Sequence, residues 1–176
     1  MTIPAYKPKK DDILKGVARF TDLKGVDDSL PDSHLPGSTR TLYNVMGFEP
    51  PESGISPLGE SAIPAIKHMK AGYGIGLVTA KPGNGAPMHV HDTNETFMAL
   101  EGRWKCAWQG EDGTEEVVLE PYDTISFPPN IYRSFECVAA PEGKEVGLLM
   151  GSTGGDNPSF EYAPEVVERI ENSKKP

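Results

Sequence analysis

From about residue 66 to residue 152 the chain is a succession of short runs in which apolar and polar side chains alternate. A period of two sends alternate side chains to opposite faces of a strand, one toward a core and one toward solvent. The runs GYGIGLVTA, APMHVH, ETFMALE, RWKCAWQ, EEVVLE, TISF, IYRSFECV and EVGLLMGS are the expected strands. The breaks between them, DTN, PYD and PPN, are turn chemistry, and GEDG carries the hairpin pair Asp112-Gly113. Strands this short and this regularly spaced predict an all-β barrel or sandwich.

The flanks read differently. Residues 1–16 are polar and rich in proline and lysine, and are expected to form an arm. VARFTDLKG is expected to be a first short strand, residues 22–38 a loop, and TRTLYNVMGF a strand. Residues 49–64, EPPESGISPLGESAIP, are long for a loop in a compact domain, so a lid, an arm or a subunit contact is expected. The tail PEVVERIENSKK opens with Pro164, suited to a first helical position, and Val166, Val167 and Ile170 give it one apolar stripe. The organisation expected is one domain: residues 1–65 as arm and strands packing on a barrel, 66–152 as the barrel, and 153–176 as a tail with a short helix.

Charge and composition exclude several classes. The formal net charge is -9 and the pI near 4.9, which disfavours binding to a phosphate backbone. No apolar run approaches ~18 residues, so no membrane span is expected. The N-terminal stretch MTIPAYKPKKDDILKG lacks the apolar centre of a signal peptide, and Cys106 and Cys137 are too few for a disulfide framework. A cytoplasmic location is the expectation. GYGIG is a lone glycine pattern inside a strand with no helix after it, so it is not a dinucleotide loop.

The stretch GNGAPMHVHDTNETFMALEG, residues 83–102, carries the chemistry. His89 and His91, two apart, project to one face of a strand. If DTN reverses the chain, Glu95 opens the next antiparallel strand and meets them across a hairpin. Two imidazoles and a carboxylate suit iron, zinc, manganese, cobalt or nickel. Two histidines on a strand are also compatible with plain packing, and the spacing alone leaves both readings open. His34 and His68 lie outside this stretch.

The same stretch resembles the first motif of the cupin superfamily: glycine, five residues, H-x-H, a glutamate after a short gap, six residues, glycine. Gly83, His89, His91, Glu95 and Gly102 meet every position. The resemblance covers roughly residues 66–152 and implies a small jelly-roll β-barrel whose mouth holds a metal or a small ligand. The family's second motif corresponds to YDTISFPPNIYRSFEC, where Asp123 and Pro128 fit. Tyr122 and Asn130 stand for its two glycines, Cys137 for its asparagine, and Arg133 for the histidine that would be the fourth metal ligand.

Arginine stays protonated and offers no lone pair, so it cannot ligate a cation. The metal shell expected is therefore His89, His91 and Glu95, holding a divalent ion such as Fe, Zn, Mn or Ni. Arg133 would meet a small carboxylate or oxyanion ligand, and Arg133 and Glu95 are the candidate catalytic pair. Phe97, Phe135 and Cys137 share inward faces with these residues and are candidate ligand contacts, although a buried thiol serves equally as a small apolar side chain. Three functions stay open: a non-haem dioxygenase-like enzyme, an isomerase or decarboxylase that does not use O₂, and a non-catalytic binding or regulatory protein. In the last, Arg133 pairs with Glu95 and displaces the metal. An arm able to cover a partner's sheet edge points to a homodimer.

Overall fold

A computed structural model of the chain describes residues 3–52, 55–59 and 61–174. Parts of the expected arm, of the 49–64 segment and of the C-terminal tail therefore lie outside the described residues. The chain forms two five-stranded antiparallel sheets. The first joins β1 (Thr41–Met46), β2 (Tyr73–Ala80), β9 (Gly147–Gly154), β4 (Glu95–Glu101) and β7 (Thr124–Phe127), in the order β1-β2-β9-β4-β7. The second joins β10 (Phe160–Tyr162), β3 (Asn84–His91), β8 (Arg133–Ala139), β5 (Arg103–Gly110) and β6 (Gly113–Leu119), in the order β10-β3-β8-β5-β6. This is a jelly-roll.

Alternation decides which side chains enter the core. Along β4 the buried residues are Glu95, Phe97 and Ala99, and along β8 they are Arg133, Phe135 and Cys137. With Val78, Trp104, Cys106, Phe127 and Leu149 the apolar members of these rows form one core cluster. A second cluster lies outside the barrel. There α2 (Pro164–Ser173) packs Val166 and Ile170 on Leu35, Met88 and Tyr132. Val167, expected in the same stripe, is 40 % exposed, because its 100° step from Val166 turns it to solvent.

Two expectations are corrected, and that of the arm is extended. VARFTDLKG is not a strand: Phe20–Asp22 is a single 3₁₀ turn, and the pairing that does occur is an isolated bridge from Val26 to Leu42. The arm contains a short helix, α1 (Lys10–Leu14), none of whose residues is buried. Most consequentially, β3 and β4 do not form a hairpin ladder. They lie in different sheets, so Glu95 faces the histidines across the barrel.

The two non-glycine residues at the second motif's glycine positions both keep the left-handed backbone, with φ of 76° at Tyr122 and 64° at Asn130. Asparagine accepts that region; a bulky side chain there costs about 1–2 kcal/mol. The Tyr122 ring is 76 % exposed and gains little burial in return. Tyr122→Gly is therefore expected to raise stability by about 0.5–1 kcal/mol, read as a higher urea midpoint. A lower midpoint would mean that the ring makes contacts that outweigh the strain.

Candidate metal centre

The local chain geometry explains how three ligands come to face one another. The β3–β8 register slips between Ala86 and His89, leaving Pro87 and Met88 in a bulge. Proline has no N–H to give to a ladder, so a bulge is where a strand tolerates it. The slip also changes parity: Ala86 and His89, three apart, are both buried. The bulge thus re-aims the H-x-H pair into the barrel.

Each imidazole is then fixed by the main chain. His89 Nδ1 lies 2.7 Å from the Pro87 carbonyl and His91 Nδ1 lies 2.9 Å from the Ser159 carbonyl. A carbonyl only accepts, so both Nδ1 atoms carry the proton and both Nε2 atoms are left as lone-pair donors. Those Nε2 atoms converge on Glu95 Oε2, at 3.7 Å from His89 and 3.3 Å from His91. The three ligand atoms lie within 4.8 Å of one another.

Burial favours the neutral form of His89, the form that can ligate a metal. Burial lowers the pKa of His89, outweighing the hydrogen bond and charge of Glu95. For Glu95 burial acts upward, and the charge and hydrogen bonds that its two imidazoles offer when protonated, His91 foremost, pull the carboxyl well below its ordinary range; with both Nε2 atoms unprotonated, the positive charge beside it is that of Arg133, whose Nε lies 3.0 Å from Oε2. His91 Nε2 is buried and has no hydrogen-bond partner among the described residues. A lone pair aimed at a carboxylate oxygen is repulsive unless a cation lies between them. Neutral imidazole, carboxylate and an orphaned Nε2 are the donor set a divalent metal requires, so the residues fit such an ion.

Arg133 is fully buried, and its Nε donates to Glu95 Oε2 at 3.0 Å. Its Nη1 donates to the Ile131 carbonyl, while Nη2 is buried without a partner among the described residues. It stands behind Glu95 and is not among the residues lining the adjoining cavity. Cys137 does not reach that cavity either. It packs at Gly147, where a β-carbon would come within 2.9 Å of its Sγ, and burial pushes the thiol's pKa up. Phe97 and Phe135 do line the cavity, with ring centroids 5.0 Å apart. His34 and His68 are exposed and take no part.

The cavity has a volume of about 40 Å³ and touches His89, His91 and Glu95. Much of its wall comes from outside the motif-bearing strands: Leu30, Arg40, Leu42, Phe48, Pro57 and Leu58 precede them, and Phe160 and Tyr162 follow. None of these was among the candidate residues. Arg40 and Tyr162 bring polar atoms to the wall through the fully buried Asp32, which accepts from Arg40 at 2.8 and 3.2 Å and from the Tyr162 hydroxyl at 2.8 Å.

The fold is a jelly-roll with an inward H-x-H pair on one sheet and a glutamate on the other, a group that could hold a metal ion. The sequence model described as a cupin domain matches residues 76–141, the stretch from β2 through β8. A solved cupin-2 domain from Rhodospirillum rubrum superposes with a TM-score of 0.56 at 12 % identity, covering 90 % of this chain and 87 % of that one. Oxalate oxidase in complex with glycolate gives 0.52 at 15 %, covering 84 % and 65 %. Oxalate decarboxylase from Lactobacillus farciminis, in a formate complex, gives 0.53 at 11 %, covering 85 % and 36 %. At these identities the likeness is one of fold. The chain spans about half, 52 %, of a structure of DMSP lyases that it also matches. No curated protein matches it. Among the described residues no helix is long and apolar enough to cross a membrane.

Proposed function

We propose that the chain binds one divalent metal through His89, His91 and Glu95 and uses it to hold a small, oxygen-bearing organic ligand in the adjoining cavity. The observation that carries this reading is the pair of imidazoles tied by Nδ1–H to main-chain carbonyls, with both Nε2 atoms turned onto one carboxylate. Three protein ligands leave coordination positions open, which is the pattern of catalytic and not of structural sites. A metal bound there would act as a Lewis acid and would support non-haem oxygenase-like chemistry if it is iron.

The chain's own groups have separable tasks in this reading. His89 and His91 ligate as neutral imidazoles, with Pro87 and Ser159 fixing their orientation. Glu95 supplies the negative charge. Arg133 is a positioning residue in this reading, holding one carboxylate oxygen of Glu95. Phe97, Phe135 and Phe160 exclude water from the ligand's other face. A cytoplasmic homodimer is part of the same proposal.

The Arg133–Glu95 ion pair favours one competing reading, a metal-free binding protein in which the guanidinium neutralises the glutamate. Elemental analysis separates the two. Protein purified without a metal-affinity tag is expected to carry close to one equivalent of Fe, Zn, Mn or Ni per chain. No metal, even after incubation with excess ions, would discard the metal reading in favour of the ion pair.

A further inference from the structure

We infer that Phe48 and Leu58 set the size of the ligand, acting as a plug that restricts the cavity beside His89, His91 and Glu95 to molecules smaller than a benzene ring. This rests on the proposed function in one respect, that the ligand occupies this cavity.

The inward row of β2 reads Gly74, Gly76, Val78, Ala80, all buried. Gly76 pairs with Gly151 of β9, which also lines the cavity. Side chains are missing here from the barrel wall itself, and the space is filled from another segment. A β-carbon on Gly74 would come within 2.7 Å of the Phe48 ring, and one on Gly76 within 3.1 Å of Leu58 Cδ1. Gly74 and Gly76 of GYGIG make the room that seats these two side chains.

Phe48 and Leu58 are 5 % and 6 % exposed, and both line the cavity. The backbone is bent to deliver the first of them: Gly47 and Phe48 are both left-handed, with φ of 72° and 55°. For a bulky residue that conformation persists only where its surroundings over-determine it. What remains beside the metal ligands is about 40 Å³. A cavity of about 150 Å³ is what accepts benzene. Shortening Leu58 removes wall directly opposite Gly76 and enlarges that remnant.

The test is thermal melting of the full chain with and without benzene at saturation. Wild type is expected to show no shift. Leu58→Ala is expected to melt lower on its own and to be raised by benzene by at least about 2 °C. Phe48→Leu serves as the second variant if Leu58→Ala does not fold. A benzene shift in wild type as large as in the variant, or in none of the three proteins, overturns the inference. This readout needs no metal, so it stands apart from the elemental analysis. In protein that does hold metal, benzoate is expected to bind Leu58→Ala at least about tenfold more tightly than wild type; equal affinity would likewise overturn the inference.

Discussion

Replacing Asp32 by asparagine is expected to cost the fold about 3–5 kcal/mol, the range for breaking a buried ion pair on one side. Asp32 is fully buried and Arg40 is 6 % exposed. The guanidinium is held by both carboxylate oxygens and also donates to the Ser38 and Gly85 carbonyls, at 2.8 and 3.1 Å. Asparagine keeps the volume and can still accept from Tyr162, but it leaves a buried positive charge without its counter-ion. The loss falls on the joint between the N-terminal segment, β3 and β10, the same elements that wall the cavity. Urea unfolding reads it directly. The double variant Asp32→Leu/Arg40→Met, which removes both charges, is expected to be more stable than Asp32→Asn alone, because no unpaired charge remains. A cost under about 1 kcal/mol for Asp32→Asn would place this pair with the solvent-screened surface bridges and discard the argument.

That joint also marks the limit of what the sequence reveals. Most strands from residue 73 onward announce themselves because a half-buried strand must alternate; β6, exposed at all but Leu119, is set by the GEDG turn, which closes β5 on β6 with Gly110 opposite Gly113. The inward parity of Glu95, Phe97, Arg133 and Phe135 follows from the same rule. The rule says nothing about which strand lies beside which. DTN looks like a hairpin turn, yet β3 and β4 pass into different sheets, so the ligands meet for a reason the local sequence does not hold. β10, three residues long, is too short for a period to show. Asp32 sits in SLPDSHLPG, turn chemistry throughout, and its partner Tyr162 is 130 residues away. Arg133 was legible as an anomaly in a motif. Its contact with Glu95, on the facing sheet, depends on packing between sheets that no periodicity encodes. VARFTDLKG misleads in the opposite sense: it has strand composition, but Phe20 finds its contact in the Tyr43 ring, 5.3 Å away, and no neighbouring ladder claims it.

His91→Ala is expected to lower metal affinity at least about 100-fold, beyond the 10–100-fold typical when only an outer-shell partner is lost. The fold should survive, and Arg133 is the reason. Removing a metal normally strands its buried carboxylate, but here Glu95 keeps the charge-assisted hydrogen bond from Arg133 Nε, so no uncompensated negative charge is left behind. Far-UV circular dichroism should therefore match wild type while the metal content falls toward zero; full metal content in His91→Ala would remove the triad as the site. Arg133→His separates two roles for the arginine. If residue 133 stands where a fourth ligand belongs, the imidazole replaces a repelling charge with a lone pair, and the affinity rises above wild type. If Arg133 matters chiefly by orienting Glu95, losing it slackens the carboxylate and the affinity falls. Its β8 position opposite His89 and its contact with Glu95 Oε2 put residue 133 beside the ligand atoms, so the rise is the expected result.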